Sequence, residues 1–236
     1  MIKAFLRSQW FFPNWLGVFT NPFYFARRGL ADAMILYSPS LTGDLLDIGC
    51  GSKPYQSLFS VDSYTGLEID SLLSRSSGKA DYFYDGKHFP FSSSSFDSIL
   101  CNQVLEHVFN PEDFLSEINR VMKRGATMIL TAPFVWDEHE QPYDYARYST
   151  FGLLSILQKH NFIVLEHKKL GADSTVIFQL VNAYLFKISK NFNKYILFLF
   201  TFFVIGLVNI LGLVFIPLLP RNPDLFLDHI VLVKKP

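Results

Sequence analysis

The sequence has little cysteine and no net charge. Its two cysteines, Cys50 and Cys101, both lie inside apolar runs. They cannot supply the disulfide framework of a small secreted protein, so we expect a reducing, cytoplasmic environment. The 21 Lys and Arg residues balance 21 Asp and Glu residues. Without a summed positive field or a basic stripe, the chain is not expected to bind nucleic acid.

The stretch LLDIGCGSKPY, residues 45–55, lacks the third glycine of a dinucleotide fingerprint, and no GK[ST] follows it. The missing glycine disfavours a nicotinamide or flavin cofactor. The missing GK[ST] argues against the phosphate loop of a nucleoside triphosphatase. A buried strand that breaks into glycines still makes room for a ligand to approach the backbone closely. The residues therefore indicate an adenosine-bearing ligand without phosphates.

Short apolar runs alternate with amphipathic helical stretches from about residue 44 to residue 170. This alternation predicts an α/β fold in which parallel strands are joined by right-handed crossovers. Helices are expected at 110–125, where Pro111 suits the first helical position and Lys123 to Gly125 end the helix, and at 149–160. Strands are expected at 44–49, 63–69, 80–84, 96–101, 126–132 and 162–168.

Polar residues and glycines recur where these strands end. They are Asp47, Gly49 and Gly51 after the first strand, Glu68 and Asp70 after the second, Asp85 after the third, and Asn102 and Gln103 after the fourth. Ligands of open parallel sheets bind at this carboxyl edge. Glu68 lies nineteen residues after Gly49, about the spacing at which an acid accepts the hydroxyls of a ribose.

In order and spacing, residues 40–170 resemble the class I S-adenosylmethionine-dependent methyltransferases, most closely the type 11 methyltransferase domain. The resemblance is carried by LLDIGCGSKPY, YTGLEID, DGKHFPFSSSSFDSIL and QVLEHVFNPEDFLSEINRVMKRGATMILTAP. It implies a Rossmann-like, doubly wound, seven-stranded and mostly parallel sheet with an antiparallel last strand at 227–236. It also implies S-adenosyl-L-methionine as the cofactor. The fourth strand ends in CNQV, not in the NPPY of enzymes that methylate amino groups of bases, which again disfavours nucleic acid.

The resemblance further implies roles for individual residues. Gly49 and Gly51 would line the methionine moiety, Asp47 would orient its amino group or bond only the turn amides, and Glu68 would hold the ribose. Asp85 with Gly86 would contact adenine, and Gln103 would face the amino-acid portion. The full set of expected cofactor contacts is Asp47, Gly49, Cys50, Gly51, Glu68, Ile69, Asp85, Gly86 and Gln103.

The loop APFVWDEHEQPYDYARYS, residues 132–149, is too rich in polar side chains for a plain connector. His139 is the candidate general base for a hydroxyl acceptor, and Tyr143 is a second candidate catalytic residue. The cluster could instead hold a divalent metal, or the loop could be a lid pinned by an Asp144–Arg147 pair; we expect no resident metal. Similar HE-x-PYDY-x-RY loops occur in methyltransferases encoded beside surface-polysaccharide enzymes, a resemblance that suggests a sugar or lipid-linked acceptor.

Residues 195–220 form a run of 26 positions without charge. As one helix the run would be about 39 Å long, enough to cross a bilayer. Basic residues flank it on both sides, which favours the cytoplasmic face for both ends. Since the last strand must return to the sheet, we expect a re-entrant or in-plane hairpin; a dimer interface and a single span are the alternatives. The expected bends are at Gly206, Asn209, Gly212 and Pro217.

These observations predict four segments: an aromatic cap or lid at 1–39, the cofactor-binding core at 40–170, an apolar helical insertion at 171–226 and the final strand at 227–236. The predicted function is O-methylation of a small or lipid- or glycan-linked acceptor at the cytoplasmic face of a membrane, with a homodimer as a further expectation. The alternatives are a quinone-type C-methyltransferase and a non-catalytic scaffold that binds the cofactor.

Overall fold

The structure of the chain is a computed structural model that describes residues 8–236, and it divides into two compact units. The first, which we call the helical unit, comprises residues 8–33, 135–137 and 169–228. The second, the sheet unit, comprises Met34–Phe134, Glu138–Lys168 and His229–Pro236. Residues 1–7 of the predicted N-terminal cap lie outside the described residues.

The seven predicted strands are present and form one sheet in the order β3-β2-β1-β4-β5-β7-β6. Parallel pairs join β1 to β2 and β4, β2 to β3, and β4 to β5. The strand bounds are β1 Asp44–Ile48, β2 Ser63–Ile69, β3 Tyr82–Tyr84, β4 Phe96–Asn102, β5 Met122–Pro133, β6 Ile163–Leu170 and β7 Asp228–Lys234.

The last strand runs antiparallel to its neighbours, as predicted. The Gly125 amide at the start of β5 donates to the carbonyl of Lys235 just after β7. The Val135 amide after β5 donates to the carbonyl of Leu227 just before β7. Because the start of one strand meets the end of the other, the two strands are antiparallel. The predicted α/β fold is therefore confirmed.

Residues 8–236 contain six longer helices: α1 Tyr24–Tyr37, α2 Leu72–Ser77, α3 Pro111–Val121, α4 Thr150–Lys159, α5 Thr175–Ile188 and α6 Lys194–Leu218. Helix α6 consists of α-helical turns at Lys194–Phe200 and Gly206–Phe215, a wide turn at Thr201–Ile205 and a closing 3-10 turn at Ile216–Leu218. Shorter helical segments lie at Gly17–Thr20, Ser38–Ser40, Gln56–Leu58 and Leu105–His107.

Helix α3 begins at Pro111 as predicted, but it ends at Val121 and not at residue 125. Met122 already pairs with Phe96 of β4, so Lys123 and the following residues belong to β5. The parallel ladder overrides the local helix-ending signal of the two basic residues and the glycine. Gly125, with φ 80°, instead allows the β5 backbone to meet β7.

The core of the sheet unit lies between the sheet and its helices. Leu46, Ile48 and Ile99 of the central strands are fully buried, and so are Leu115 and Ile118 of α3. Each such side chain contributes about 1.5–3 kcal/mol of transfer free energy. This packing holds β1 and β4 rigid, and both strands lead directly into the predicted cofactor residues.

The helical unit buries polar side chains along its helices. Gln179, Asn182 and Asn209 have no exposed surface. Their amides bond one another and nearby backbone: Asn182 Nδ2 donates to Asn209 Oδ1 at 2.7 Å, and Asn209 Nδ2 donates to the Val18 carbonyl at 2.8 Å. Gln179 accepts from the Ala26 amide at 3.1 Å. These bonds satisfy most of the buried amide groups inside this unit, and among the described residues only Asn182 Oδ1 of the three amides is a buried oxygen without a hydrogen-bond partner.

The chain does not turn back within 195–220, where the sequence predicted places to bend. Helix α6 continues from Lys194 to Leu218, with a wide turn at Thr201–Ile205 just before Gly206, and its glycines allow close packing. A β-carbon at Gly206 would lie 3.2 Å from Phe19, and one at Gly212 would lie 2.5 Å from Phe25. Pro217 lies in the closing 3-10 turn.

A hairpin exists, but its arms are α5 and α6, joined by residues 189–193. The pairing of Asn182 with Asn209, and of Phe178 with the position of Gly212, gives the two arms an antiparallel arrangement. Within the described part of the chain, α6 is the one helix that is long and apolar enough to cross a membrane, by length and composition.

Candidate functional site

The carboxyl ends of four neighbouring parallel strands, β3, β2, β1 and β4, lie at one edge of the sheet. Ile48 of β1 pairs with Leu67 of β2 and Cys101 of β4, and Ile69 pairs with Tyr84 of β3. All predicted cofactor contacts follow or end these strands, so the sheet brings them to the same edge. This is where ligands bind in open parallel sheets.

The chain turns sharply after β1 at Gly49 and Gly51, which have φ angles of 67° and 48°. The amides of Gly49 and Cys50 both donate to the Leu67 carbonyl, at 2.9 Å and 3.2 Å. A β-carbon at Gly49 would overlap the Val104 side chain, whereas one at Gly51 would meet no atom within 4 Å. Gly49 is therefore required for packing, and Gly51 faces open space.

Glu68 at the end of β2 is bonded directly to this bend. Its Oε2 atom accepts from the Gly51 amide at 2.9 Å, and Oε1 accepts from the Ile69 amide at 3.1 Å. The predicted ribose acid and the predicted methionine-side glycine are therefore in contact. The carboxylate is fixed at the rim of the open space beside Gly51.

Asp47 is buried below the bend and accepts a hydrogen bond from the Tyr64 hydroxyl at 2.6 Å. Its hydrogen-bond partner is thus a side chain of β2, not an amide of the turn. Burial raises the pKa of Asp47 to about 7, although the Tyr64 hydrogen bond and the nearby Lys53 charge oppose this increase. Near neutral pH this carboxyl is poised between its two protonation states.

A second network supports the bend and was not found from the sequence. Lys53 Nζ lies 2.5 Å from Asp81 Oδ2, and the same oxygen accepts from the Gly66 amide at 2.6 Å. A β-carbon at Gly66 would overlap the Lys53 side chain and lie 2.8 Å from Cys50 Sγ. Burial acts to raise the pKa of Asp81, but these two hydrogen bonds lower it overall. Three residues distant in sequence thus fix the loop, and no local pattern signals their contact.

Asp85 and Gly86 form a compact turn after β3. Asp85 Oδ1 accepts from the amides of Lys87 and His88, each at 2.8 Å, and these backbone bonds lower its pKa. Gly86 has φ 86°, and a β-carbon there would lie 3.7 Å from Ile69 Cδ1. The ends of β2 and β3 therefore meet at this turn, beside Glu68.

Gln103 follows β4 with φ 56°, and its amide donates to the Thr131 carbonyl at 3.1 Å. Its side-chain Nε2 donates to Thr131 Oγ1 at 3.2 Å, and that hydroxyl donates to Asn102 Oδ1 at 2.9 Å. These bonds tie the ends of β4 and β5 together. The Gln103 side chain is thereby directed along β5.

The loop that contains His139 lies against the 3-10 turn Leu105–His107 after β4. The amides of Tyr145 and Ala146 donate to the Glu106 carbonyl at 2.8 Å and 3.2 Å. His107 Nδ1 lies 2.7 Å from the Tyr143 carbonyl oxygen, and the rings of His107 and His139 are 4.8 Å apart. The loop thus brings His139 to the end of β4, while the Tyr143 side chain itself is exposed.

The Asp144–Arg147 pair expected from the sequence is present. Two guanidinium nitrogens of Arg147 donate to the two Asp144 oxygens at 2.6 Å and 2.7 Å. Asp144 Oδ2 also accepts from the His139 amide at 2.9 Å and lies 3.2 Å from His139 Nδ1. Burial would raise the pKa of Asp144, but these partners lower it to about 2. A buried carboxylate therefore orients the His139 ring.

Comparison with known proteins agrees with this geometry. Residues 46–130 match the family model described as "Methyltransferase domain". The chain carries a class I methyltransferase domain. S-adenosylmethionine is the cofactor of such a domain, and the open space at Gly51 beside a fixed Glu68 carboxylate, without a third glycine, suits a ribose-bearing ligand that lacks phosphates.

Solved structures share the fold of this methyltransferase domain. Phosphoethanolamine N-methyltransferase 2 of Haemonchus contortus, in complex with S-adenosyl-L-methionine, aligns with a TM-score of 0.57 and 17% identity over 99% of this chain and 57% of that chain. The [4+2]-cyclase SpnF aligns with a TM-score of 0.55 and 18% identity over 88% of this chain and 82% of that chain. At this identity the likeness shows the fold alone.

A curated relative, an uncharacterized protein of Methanocaldococcus jannaschii, is 31% identical over 88 residues. The aligned part covers 36% of this chain and 42% of that protein. The chain therefore spans about two fifths of the length of the curated relative that it matches.

Proposed function

We propose that the chain transfers a methyl group from S-adenosylmethionine to a hydroxyl oxygen of a small or lipid- or glycan-linked acceptor at the cytoplasmic face of a membrane. The observation that carries the proposal is the hydrogen bond between Gly51 and Glu68 at the carboxyl edge of the sheet. It joins the two features that an adenosyl ligand requires, a glycine bend and a ribose acid.

The cofactor residues divide among the strand ends. Gly51 would leave room for the methionine moiety, Gly49 and Cys50 would border it with their backbone, and Asp47 would orient its amino group. Glu68 would hold the ribose hydroxyls. Ile69, Asp85 and Gly86 would contact the adenine. Gln103 would face the amino-acid portion of the cofactor. When bound, S-adenosylmethionine supplies a methyl group on a positively charged sulfur.

The acceptor would lie toward the end of β4, beside the loop of residues 138–149. A hydroxyl acceptor must lose a proton, and His139 is placed to receive it. Asp144 Oδ2 lies 3.2 Å from His139 Nδ1 and Arg147 Nη2 lies 3.4 Å from it, so this ion pair holds the imidazole in place. In the tautomer that donates from Nδ1 to Asp144, the lone pair that accepts the proton is on Nε2. Tyr143, whose side chain is exposed at the surface of the loop, is the second proposed catalytic residue. Asp144 acts through His139 and is a positioning residue.

The membrane context is supported by the inverted polarity of α5 and α6. In water a surface helix buries its large apolar side chains and exposes its amides. Here the amides of Asn182 and Asn209 are buried, whereas Ile177 and Leu207 are 57% and 54% exposed. Small and amide-bearing residues at helix contacts, with large apolar residues outside, are typical of helices packed in lipid.

The course of the chain restricts how α6 can lie in a membrane. Strand β6 ends at Leu170 and β7 begins at Asp228, and both belong to the same sheet. The segment between them must therefore leave and return on one side of the bilayer. We propose an in-plane or re-entrant position for the hairpin of α5 and α6, with the lysines that flank α6 in the headgroup region.

The test combines cofactor binding with turnover, because a cyclase also has this fold. Calorimetry of the full chain with S-adenosylhomocysteine is expected to give micromolar affinity, and Glu68→Ala is expected to abolish the heat. A bacterial lipid extract incubated with the chain and methyl-labelled cofactor is then fractionated, and the lipid-linked fraction is expected to gain alkali-stable label. Binding without any labelled product would identify a non-catalytic scaffold and overturn the proposed activity.

A further inference from the structure

We propose that Glu106, His107 and His139 form a binding site for a divalent first-row transition-metal ion at the end of β4. One ligand atom of each residue lies within 4.8 Å of the others. Two imidazoles and one carboxylate are a donor set that Zn²⁺, Co²⁺, Fe²⁺ and Mn²⁺ accept in proteins. The three residues come from two segments, the turn after β4 and the loop after β5.

The orientation of the His107 ring supports the site. Its Nδ1 faces the Tyr143 carbonyl oxygen at 2.7 Å, and a carbonyl only accepts, so Nδ1 carries a hydrogen and, in the neutral ring, Nε2 carries the lone pair. Nε2 faces Glu106 Oε1 and Glu140 Oε2, each at 3.8 Å. That separation is too long for a hydrogen bond. It is close to the spacing of two ligands that each lie about 2.0–2.2 Å from one zinc ion.

The lone pair of a neutral His107 would be repelled by these two carboxylates, and either a proton or a metal cation between the atoms makes the contact attractive. Glu106 has no exposed surface, so its carboxylate lies inside the protein beside the two imidazoles. An ion at the centre of the cluster binds this carboxylate and both imidazoles. Glu140, at the exposed rim, is available as a fourth ligand.

The His139 ring has the same kind of support. Its Nδ1 lies 3.2 Å from Asp144 Oδ2, and Arg147 holds that carboxylate with two hydrogen bonds. Histidines that bind metals usually donate their other ring N–H to a carboxylate or a carbonyl. His107 has such a carbonyl, and His139 Nδ1 lies between the Asp144 carboxylate at 3.2 Å and Arg147 Nη2 at 3.4 Å. The His139 tautomer that donates from Nδ1 to Asp144 leaves the Nε2 lone pair for the ion.

The site adjoins the cofactor edge. Val104, which precedes the 3-10 turn, packs on the Gly49 position so closely that a β-carbon there would overlap it. Glu106 lies two residues further along. A metal ion at this place would bind the acceptor oxygen and lower the pKa of its hydroxyl, whose proton passes to solvent. This role rests on the proposed methyl transfer, but it replaces His139 as the proton acceptor, because an imidazole nitrogen bound to a metal ion has no free lone pair. Ion binding by itself does not depend on the proposed function.

The experiment uses the full chain, treated with a chelator and then dialysed. Titration with Co²⁺ is followed by visible absorption, and titration with Zn²⁺ by calorimetry. We expect one ion per chain, and at least a tenfold loss of affinity in His107→Asn and in His139→Asn. The matched control is His88→Asn, a histidine in an exposed loop whose side chain is 79% exposed, and its affinity should equal that of the native chain.

Thermal unfolding and S-adenosylhomocysteine binding are measured on the same samples. Saturating Zn²⁺ should raise the melting temperature of the native chain and not that of the His107→Asn, His139→Asn double variant. Glu68→Ala should lose S-adenosylhomocysteine binding and keep the ion, so failure of the proposed function leaves the metal site standing.

The inference is overturned if the native chain binds no ion, or if the two histidine variants bind it with native affinity. Methyl transfer that survives chelation but is lost in His139→Asn would overturn the role of the metal and assign proton acceptance to His139.

Discussion

Gly49 packs directly against the Val104 side chain, and a β-carbon at Gly49 would overlap that side chain. Gly51, two residues later, has a comparable backbone angle but no neighbour at that position. The two glycines of the bend therefore serve different purposes. Gly49 joins the ends of β1 and β4, whereas Gly51 borders open space that we assign to the proposed ligand.

Gly49→Ala should lower the free energy of unfolding by about 2–4 kcal/mol, because a positive φ and a steric overlap both oppose it. Gly51→Ala should cost only about 1 kcal/mol, the price of the positive φ. Urea unfolding measures both values. In calorimetry Gly51→Ala should nevertheless lose S-adenosylhomocysteine, and unchanged affinity in a stably folded Gly51→Ala chain would contradict the assignment of this space to the ligand.

Binding of S-adenosylhomocysteine should depend on pH through Asp47. Burial raises the pKa of this carboxyl to about 7, so the form that can bind an ammonium group is in the minority at pH 6. The affinity for S-adenosylhomocysteine should rise by up to about tenfold per pH unit from pH 5.5 to 7 and then level off. Calorimetry at several pH values measures the slope, and Asp47→Asn should remove it. Tyr64→Phe should shift the midpoint upward, since the Tyr64 hydrogen bond lowers the pKa of Asp47.

Asp47 should also affect stability, in the opposite direction. The folded chain holds the Asp47 proton up to about pH 7, whereas the unfolded chain releases it near pH 4. The contribution of this group to the free energy of unfolding is therefore greatest below pH 4 and falls as the pH rises toward 7. Urea unfolding of native and Asp47→Asn chains should show a difference that grows over this interval. A constant difference would place the pKa of Asp47 near its ordinary value.

Membrane association should depend on the exposed face of α6. Phe203 and Leu207 are 66% and 54% exposed there, and glutamate at these positions would bring charge into the lipid. Phe203→Glu and Leu207→Glu together should release the chain from carbonate-washed membranes and from vesicles in flotation. Leu72→Glu, at a 91% exposed leucine of α2, is the matched control and should float as the native chain does. Flotation of the double variant with native yield would argue against this face as the membrane contact.

The amide of Asn209 should be central to the stability of the helical unit. It accepts from Asn182 and donates to the Val18 carbonyl, all within buried surroundings. Asn209→Ala leaves both partners without their bond, so we expect a loss of about 1–3 kcal/mol. The comparison is thermal unfolding in detergent of Asn209→Ala and of Ile210→Ala, a partly exposed neighbour on the same helix. Equal melting temperatures would mean that the buried amide pair contributes nothing.

The sheet could be predicted well from the sequence, because each strand is a short apolar run bounded by polar residues. Strand β2 has the predicted bounds, and the predicted acids lie at the expected edge. The error at the end of α3 arose because basic residues and a glycine signal a helix end equally well whether a loop or a strand follows. Pairing of Met122 with Phe96 decided the outcome, and such pairing is a tertiary property.

The apolar segment was harder to predict for a different reason. A glycine or asparagine inside an apolar helix can mark a bend or a close contact, and the sequence is the same in both cases. In α6, Gly212 meets Phe25 and Asn209 meets Asn182, so the helix continues. The support of the glycine bend by Lys53 and Asp81 was missed likewise, since 28 residues separate the two.

Because α5 and α6 bury amides and expose large apolar side chains, the stability of this hairpin depends on whether lipid or water surrounds it. Among hydrocarbon chains, apolar side chains gain little by clustering, so the hairpin must be held by its amide bonds and its close glycine contacts. In water the same exposed phenylalanines and leucines would draw separate copies of the chain together. If the hairpin lies in lipid as proposed, the choice of detergent and the length of its acyl chains should change the measured oligomeric state and the thermal stability of the helical unit as strongly as any substitution.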